Sequence, residues 1–584
     1  YQPQISISFN DEGAKLFEKI TGDNVGKPVA IFVDGVLKSS PSVREKITGG
    51  QAVISGQFTP DEAQALARDL NTGAIPAPVV LTGQYTIGAT LGQEALSNSL
   101  KAGLVGIILV ALFMTLYYRL PGLIATVALA IYSAILIFLL KAGLPLAVSL
   151  SIGVILFIVL MVKVLRSQEH GWEKLISGLL SIIILFFVTF LLSNPIVLTL
   201  AGVAGVILSI GMAVDANILI FERLKEELRL GRPVRDAVEI GFDRAWSSIR
   251  DSNFSSLITC GILFFFGTSI IQGFAFNLAA GILISMFTAI TVTRAFLLLL
   301  IQSPLGKKQW LWGAQRIEGG ERPPLHIMER KKIWFSFSGI LILISLVSFA
   351  VNGLHLSIDF RGGTLLDMTF EKTATVEEIK SALTEISDTS SVAIASSSET
   401  SGEEAAKDFT KATIIPSGDN RWIIRTEHMD NDTHDDLLIA LEKRFGTVTE
   451  DRFTTIGPTI GTTLKNRAVL SLSIAFIAII LYIAFAFRRV PKGVSSWRFG
   501  ICAVAALTHD VIIPIGIFSL FKFEVDALFV TALLTVVGFS VHDTIVVFDR
   551  LRENLKNKRE GESLTHLANA SMTQTMARSI NTSL

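Results

Sequence analysis

The sequence predicts a polytopic α-helical membrane protein: two related helix bundles, arranged as a pseudo-two-fold parallel repeat, with two small ferredoxin-like α+β domains outside the membrane. Three observations predict this class. Half of the 584 residues are hydrophobic and 17% are charged, whereas a soluble domain has roughly a quarter charged residues. Residues 211–228 recur at 538–555 with eight of eighteen positions identical, and two long polar segments interrupt the apolar runs.

Eleven apolar stretches are long enough to cross a bilayer as helices. They cover about residues 103–118, 123–141, 146–165, 175–193, 196–220, 256–272, 275–300, 333–351, 467–487, 500–520 and 526–548. The loops between them alternate between loops rich in Lys and Arg and loops with almost none, and the positive-inside rule places the basic loops in the cytoplasm. We therefore expect residues 1–100 and 352–464 to lie outside the cytoplasmic membrane.

The second outer segment, residues 352–464, has the predicted order strand, helix, strand, strand, helix, strand. This βαββαβ order is typical of ferredoxin-like domains. The first outer segment, residues 1–100, has a similar pattern that lacks its start. Residues 388–408 are rich in Ser, Glu and Thr, which predicts a flexible loop.

Each outer segment ends in the same phrase, TIGATLG at 86–92 and TIGPTIG at 455–461. Gly88 to Gly211 spans 123 residues and Gly457 to Gly538 spans 81, so the first half contains 42 additional residues. This length predicts an inserted helical hairpin at about 146–193, which leaves both halves in the same orientation, as a parallel repeat requires.

The chain therefore divides into six predicted parts. They are an outer domain whose start is missing (1–100), a membrane bundle with the inserted hairpin (101–301), a cytoplasmic linker (302–332), a single span (333–351), a second outer domain (352–464) and a second bundle whose last two spans are missing (465–584).

Each copy of the repeat carries a carboxylate within an apolar run, Asp215 in the first and Asp543 in the second. A charge within a membrane span is costly and by default marks an ion or substrate pathway. Asn217 and His542 add polarity to the same helical turns. The alternative is that both carboxylates approach the headgroups and are hydrated there. An ungapped alignment places Asp215 opposite His542, so the two carboxylates are offset by one residue, about 100° of helical rotation.

Enzyme motifs are not found in the sequence. It contains no GxxxxGK[ST] loop, no GxSxG elbow and no His/Cys cluster with metal-ligand spacing. The two cysteines, Cys260 and Cys502, both lie in apolar runs and are interpreted as inert thiols. We expect no enzymatic activity, no cofactor, no metal and no nucleic acid partner.

In order along the chain, the motifs resemble those of the fused SecDF family, the accessory membrane component of bacterial protein export. The SecD-like motifs are DGVLKSSP (34–41), TIGATLG (86–92) and GMAVDANILIFERLKEELR (211–229). The SecF-like motifs are IDFRGGT (358–364), TIGPTIG (455–461), LTHDVIIPIGIFSL (507–520), VVGFSVHDTIVVFDRLRENL (536–555) and ARSINTSL (577–584). SecDF belongs to the resistance-nodulation-division superfamily. Two departures are the 42-residue insertion and the absence of the first span and most of the outer head domain.

The resemblance implies an accessory subunit of the Sec translocase that uses the proton-motive force to promote preprotein export across the bacterial cytoplasmic membrane. The implied partners are the SecYEG translocon, SecA, a YidC-type insertase, unfolded preprotein and the lipid bilayer. Asp215, Asp543 and Arg578 match the proton-pathway residues of the family. The alternatives are a small-molecule or lipid exporter of the same superfamily, and a scaffold that moves no ions. Carboxylates serve both H⁺ and Na⁺, so the coupling ion stays open.

Three further sites have two interpretations each. His542 stands where the family more often has Asn, and it either titrates in the relay or is a neutral imidazole hydrogen-bonded between helices. Asp510, beside His509, either joins the proton pathway or has a structural role, in which it pairs with Arg578 or a helix terminus. The charges of Asp359 and Arg361, next to Gly362 and Gly363, are interpreted as a local pair that fixes a turn rather than as a binding site.

Overall fold

The computed structural model describes residues 4–33, 36–55, 59–72, 83–142, 144–166, 189, 193, 198–306, 308–313, 324–395, 409, 412–418, 420–429, 431–486, 496–558 and 561–583. The chain forms two compact units, residues 1–82 and 83–584. Each unit is described by itself.

The described residues of the first unit form two helices and four short strands. These are β1 (Gln4–Ser8), α1 (Asp11–Asp23), β2 (Ile31–Val33), β3 (Val36–Ser39), β4 (Gln51–Ser55) and α2 (Pro60–Thr72). β1 pairs with β4 and β2 pairs with β3, both antiparallel. Asn10 caps α1, because its side chain accepts a hydrogen bond from Gly13 N. Ile5, Ile54, Ala63 and Leu66 form a small buried core.

In its described residues, the second unit consists mainly of helices, most of them long. They are α3 (Ala89–Tyr118), α4 (Leu120–Lys141), α5 (Leu146–Arg166), α6 (Leu200–Arg229), α7 (Val234–Phe266), α8 (Ser269–Phe287), α9 (Thr293–Ile301), α10 (Lys331–Asn352), α11 (Ile358–Arg361), α12 (Val376–Ala395), α13 (Asn431–Phe445), α14 (Pro458–Ala486), α15 (Ser496–Phe521), α16 (Ala527–Lys556) and α17 (Leu564–Ser583). A π-helical turn, Thr288–Val292, joins α8 to α9. Single 3₁₀ turns lie at Gln309–Trp312 and Met328–Arg330.

Eight helical stretches within the described residues are long and apolar enough to cross a membrane. They are Gly92–Tyr118, Leu120–Lys141, Leu200–Arg229, Ser269–Ile301, Met328–Asn352, Pro458–Ala486, Arg498–Phe521 and Ala527–Lys556. Most of the eleven predicted spans therefore coincide with such a helix.

One further predicted span differs from the structure, and two are described only in part. The predicted span 256–272 corresponds to the end of α7, and this helix ends at Phe266, with Gly267 as its C-cap, earlier than predicted. A Cβ at Gly267 would lie 2.4 Å from Leu263 O, so the close turn here requires glycine. Helix α5, Leu146–Arg166, covers the predicted span 146–165, and side chains are described only for its apolar part Val148–Ile158. The second helix of the predicted hairpin, at about 175–193, lies almost entirely outside the described residues.

Helix α6 lies at the centre of the helical core. Its segment from Met212 to Leu224 is buried almost throughout, and it packs closely against α8 because small residues lie between them. A Cβ at Gly281 of α8 would be 2.2 Å from Ser209 Cβ of α6. Small residues at helix contacts allow this approach in membrane proteins. Asp215 therefore lies on the most enclosed helix of the bundle.

The strands of the second unit form a five-stranded antiparallel sheet in the order β5-β10-β7-β9-β8. The strands are β5 (Gly83–Ile87), β7 (Gly363–Phe370), β8 (Thr413–Gly418), β9 (Arg421–Thr426) and β10 (Val448–Ile456). A separate two-residue pair joins β6 (His355–Leu356) to β11 (Glu524–Val525) in parallel. We call the five strands with α12 and α13 the sheet subdomain. Its core is formed by side chains that include Leu366, Met368, Phe370, Leu383 and Leu437.

Residues 83–87, which the sequence analysis includes in the first outer segment, form β5, and this strand pairs with β10. In this pair Tyr85 lies opposite Thr454, Ile87 opposite Arg452 and Gly83 opposite Ile456. When the TIG phrases at 86–88 and 455–457 are aligned, Tyr85 is equivalent to Thr454, Gly83 to Arg452 and Ile87 to Ile456. The pair of Ile87 with Arg452 is therefore equivalent to the pair of Ile456 with Gly83. The pairing is therefore reciprocal about its central residues.

Helix α12 continues to Ala395, so the prediction of a loop was wrong for residues 388–395. The sequence Val392-Ala393-Ile394-Ala395 contains no glycine or proline that would end a helix. The rest of the predicted loop, to residue 408, lies outside the described residues.

Candidate functional site

A single arginine joins the two carboxylates of the repeat. Arg578 on α17 donates from Nη2 to Asp215 Oδ1 and Oδ2, at 3.1 and 3.2 Å, and from Nη1 to Asp543 Oδ1 at 3.2 Å. Three helices, α6, α16 and α17, thus meet at one guanidinium. Arg578 is 2% exposed, and its Nε has no hydrogen-bond partner among the described residues.

The two carboxylates are not equivalent. Asp215 faces two donor contacts and its side chain is 23% exposed, whereas Asp543 faces one contact and is 45% exposed. One cation faces two anions, so the group carries one excess negative charge when both carboxylates are ionised. One bound proton would neutralise this excess. A buried charge is costly without such compensation.

Asn217 lies one half-turn beyond Asp215 and is 4% exposed. Its Oδ1 accepts a hydrogen bond from Thr293 at 3.0 Å, and its Nδ2 donates to Ala213 O at 3.3 Å. Thr293 is the first residue of α9, directly after the π-helical turn. Asn217 therefore ties α6 to α9, and both of its polar groups have protein partners.

His542 is buried, and its Nε2 lies 2.8 Å from Ser256 Oγ of α7. This is the interhelical hydrogen bond expected in one of the two interpretations of the sequence. The contact holds α16 against α7 one residue before Asp543. A Cβ at Gly538, one turn earlier, would lie 3.4 Å from Thr259 Oγ1, so the two helices are in close contact here.

Asp510 does not contact Arg578, so the pairing considered for it was wrong. Its Oδ1 lies 2.8 Å from His509 Nδ1, and its Oδ2 accepts a hydrogen bond from Ser540 of α16. His509 Nε2 in turn lies 3.1 Å from Ser338 Oγ on α10. Asp510 thus belongs to a separate polar chain that links α10, α15 and α16.

Asp359 has a distant partner rather than a local one, which corrects the expectation of a pair with Arg361. Asp359 Oδ2 accepts a hydrogen bond from Ala527 N, the first residue of α16, at 3.0 Å. Arg361 is exposed. Burial raises the pKa of Asp359 above its usual range, while the hydrogen bond from Ala527 opposes that shift.

The paired glycines after Arg361 have left-handed backbone conformations and little space around them. Gly362 has φ 79° and Gly363 has φ 132°. A Cβ at Gly362 would lie 2.8 Å from Pro458 Cα, and one at Gly461 would lie 2.7 Å from Gly362 N. The GG pair and the TIGPTIG phrase are separate in the sequence, but their backbones are in close contact in the structure.

An ion-pair ring that was not predicted from the sequence joins the two halves. It is formed by Arg223, Glu226, Arg550 and Glu553. Arg223 lies 3.3 Å from Glu553, and Arg550 lies 3.1 Å from Glu226. Within each helix, Arg223 pairs with Glu226 at 3.3 Å and Arg550 with Glu553 at 2.8 Å. The repeated sequence contained a signal for this ring, because the ungapped alignment makes the two arginines equivalent and the two glutamates equivalent. Arg244 of α7 joins the ring through Glu553 at 2.7 Å.

Within the described residues, no group of three or more His, Cys, Asp or Glu side chains is close enough to hold a metal ion. At Asp215, Asp543 and Arg578, one arginine is shared by two carboxylates, and carboxylates can bind or release a proton or exchange a small cation.

Four family models match the chain. Residues 1–77 match the SecDF P1 head subdomain, residues 145–339 the MMPL family, residues 347–374 the SecD/SecF GG motif, and residues 438–584 the C-terminal model of the protein export membrane proteins SecD/SecF. The match of residues 1–77 corrects the expectation that the head domain is largely absent from the chain.

Curated relatives of the chain are named as the protein translocase subunits SecDF or SecD. The chain is 32% identical to protein translocase subunit SecDF of Bacillus subtilis, over 94% of this chain and 66% of that protein. It is 31% identical to the Thermus thermophilus SecDF, over 100% and 68%, and 43% identical to the Thermobaculum terrenum SecD, over 53% and 51%. The chain thus spans about half to two thirds of the length of these relatives.

The fold resembles the crystal structure of SecDF from Thermus thermophilus, described as a translocon-associated membrane protein. The TM-score is 0.68 at 30% identity, covering 100% of this chain and 69% of that one. A SecDF structure in a super-membrane-facing form gives a TM-score of 0.53 at 30% identity, over 100% and 68%.

Proposed function

Because this chain belongs to the SecDF family of protein-export membrane proteins, we propose that it is an accessory subunit of the Sec protein translocase. In this role it uses the proton-motive force to promote the export of preproteins across the cytoplasmic membrane. The observation that carries the proposal is the contact of Arg578 with both Asp215 and Asp543 within the helical core. Names of relatives support the Sec role and do not favour a small-molecule or lipid exporter.

In the proposed cycle Asp543 is the carboxylate that gains and loses the proton. It is the more exposed of the two and makes one contact with Arg578 instead of two. Protonation of Asp543 removes its attraction to the guanidinium, so α16 and α17 can separate at this point. Arg578 then keeps its two contacts with Asp215. Loss of the proton to the cytoplasm restores the contact and the starting arrangement.

Two reciprocal contacts support the proposed pseudo-two-fold parallel repeat. In the sheet subdomain β5 and β10 pair about Tyr85 and Thr454, and in the helical core the ion-pair ring links equivalent residues crosswise. A two-fold axis between the halves accounts for both.

We propose the ferredoxin-like class for the sheet subdomain. The elements β7, α12, β8, β9, α13 and β10 follow the βαββαβ order, and these four strands lie in the order β10-β7-β9-β8. In this order the first and second strands of the motif are separated by the third, as in a split βαβ unit.

The positive-inside rule supports a position for this subdomain outside the cytoplasmic membrane. The parts proposed from the sequence keep their bounds, except that residues 83–87 belong with the sheet subdomain. SecYEG, SecA, a YidC-type insertase and unfolded preprotein are the proposed partners. Asn217 and His542 are proposed as polar residues that line the proton pathway, and Asp510 as an accessory polar site. Arg361, Gly362 and Gly363 are proposed to form a structural turn.

The test is proton flux in vesicles that contain the purified full chain. We expect Asp215→Asn and Asp543→Asn each to abolish flux driven by a pH gradient, while Asp236→Asn, an exposed carboxylate in the first turn of α7, leaves flux unchanged. Unchanged flux in both core variants would refute the proton role. If secretion in cells survived both substitutions but not deletion of the gene, the protein would be a scaffold. Replacing the pH gradient by a sodium gradient distinguishes the two coupling ions.

A further inference from the structure

The start of helix α16 is held by two carboxylates, one of them from a distant part of the chain. Asp526 precedes the helix and accepts a hydrogen bond from Phe529 N at 2.7 Å. Asp359, 168 residues earlier, accepts one from Ala527 N at 3.0 Å. Helix N-termini carry unpaired N–H groups and a partial positive charge, so both contacts are favourable. Asp526 supplies the local side-chain cap, and Asp359 adds a second partner that comes from a different segment.

Asp359 is itself fixed to the sheet subdomain. It belongs to the single-turn helix α11, which is followed by Gly362 and by Gly363, the first residue of β7. Gly363 pairs with Ile456 of β10, and Gly362 lies against Pro458 at the start of α14. These close contacts leave little room for α11 to move independently of β7.

Three further contacts join the same parts. β6 pairs in parallel with β11, which ends two residues before α16 begins. Ser357 N donates to Val525 O at 3.0 Å. Arg425 of β9 forms an ion pair with Glu524 of β11. The first turn of α16 is therefore connected to the sheet subdomain at several points, and Asp359 makes the contact to the helix itself.

We propose that Asp359 is a positioning residue that couples the sheet subdomain to helix α16. Through this contact, a displacement of α16, the helix that carries Asp543, also displaces the sheet subdomain. The proposal rests on the proposed function, because α16 carries the carboxylate that we propose to be protonated. Asp543 lies sixteen residues after Ala527, about 24 Å along the helix at 1.5 Å per residue. A rigid helix transmits a displacement over that length, whereas a frayed first turn does not transmit it to the sheet subdomain.

The test measures positioning directly. Spin labels are placed in the full chain at Ile439, an exposed residue of α13, and at Leu528, an exposed residue in the first turn of α16. The exposed Cys502 is replaced by serine, and the buried Cys260 is kept. We expect Asp359→Ala to broaden the distance distribution about twofold, while Glu377→Ala, which removes an exposed carboxylate of α12, leaves it unchanged. Asp359→Asn keeps an oxygen that can accept the hydrogen bond from Ala527 N, so we expect it to restore the narrow distribution.

A second measurement separates this proposal from the proposed function. We expect Asp359→Ala to keep proton flux in vesicles and to lower preprotein export in cells at least fivefold, the signature of uncoupling. An unchanged distance distribution in Asp359→Ala would overturn the coupling whatever the flux. Unchanged flux in both Asp215→Asn and Asp543→Asn would instead refute the proton role and leave the positioning result standing. Equal losses of flux and export in Asp359→Ala and Asp359→Asn would mean that Asp359 acts in proton movement and would overturn its positioning role.

Discussion

Arg578 contacts Asp215 through both carboxylate oxygens, at 3.1 and 3.2 Å, although the two residues are 363 positions apart. Arg578 makes one contact with Asp543, from its Nη1. The planar guanidinium is what permits both contacts, because its separate N–H groups point in fixed directions. This geometry makes the identity of the cation, as well as its charge, important.

We therefore expect Arg578→Lys to lose most proton flux although the charge is kept. An ammonium cannot span both carboxylates in the same way, and a lost hydrogen bond to a charged group costs about 1.5–3 kcal/mol. That loss corresponds to roughly a tenfold or larger decrease in rate. Flux in vesicles is the measurement. Arg235→Lys, at a position whose side chain is 75% exposed, is the matched control. Full flux in Arg578→Lys would show that only the positive charge is required.

The ion-pair ring predicts energetic coupling between the halves. Removal of Arg223 leaves Glu553 with fewer partners, so Arg223→Ala and Glu553→Ala should each destabilise the protein, and the double variant should lose less than the sum. We expect a coupling free energy of about 1–3 kcal/mol for this partly buried pair. Thermal unfolding in detergent provides the measurement. The exposed pair Arg235 and Glu239 is the control, with an expected coupling of about 0.3–0.5 kcal/mol. Equal coupling in the two pairs would contradict a role for the ring in holding the halves together.

Gly461 and Gly92 are equivalent positions of the repeated phrase with opposite surroundings. A Cβ at Gly461 would lie 2.7 Å from Gly362 N, whereas nothing lies within 4 Å of one at Gly92. We expect Gly461→Ala to destabilise the protein by about 1–3 kcal/mol through overpacking. Gly92→Ala, within a helix, should be neutral or stabilising by roughly 0.5–1 kcal/mol. Unfolding of the two variants is compared in the same detergent, and similar stabilities would show that the backbone contact at Gly362 is not close in solution.

His434 of α13 predicts a pH-dependent stability for the sheet subdomain. Its Nε2 lies 2.8 Å from Glu450 of β10. Burial by itself lowers the pKa of His434, but the hydrogen bond and charge of Glu450, together with Asp435, outweigh burial and raise the pKa. Because the folded-state pKa is raised, the stabilisation is complete below the unfolded pKa of about 6.5. It is lost as the pH rises through the higher folded-state value.

The measurement compares the unfolding of the original chain with that of His434→Gln between about pH 5 and 9. The difference in stability should be largest at the acidic end and should shrink as the pH rises. Glu450→Gln, which removes the charged partner of His434, should weaken this trend. A difference that stayed constant with pH would mean that His434 is neutral in the folded protein.

Much of the fold follows from local sequence. Hydropathy placed most of the membrane helices, since a span requires a continuous apolar run. Alternation and helical periodicity placed the βαββαβ order of the sheet subdomain at residues 363–456. The break at Gly267 was misplaced because glycine alone does not show how close a neighbouring chain lies.

Within the site, the sequence by itself determined which groups to examine. Asp215 and Asp543 stand out because a charge in an apolar run is costly, and Arg578 was added by family resemblance. The tertiary structure decided how they combine: two contacts to Asp215 and one to Asp543, Asp510 with His509 and Ser540, and Asp359 with the start of α16. These partners are mostly distant in the sequence, and hydrogen bonds depend on distances of a few tenths of an ångström. Periodicity and composition describe a segment and its own surface, whereas such pairings arise only when helices from both halves pack together.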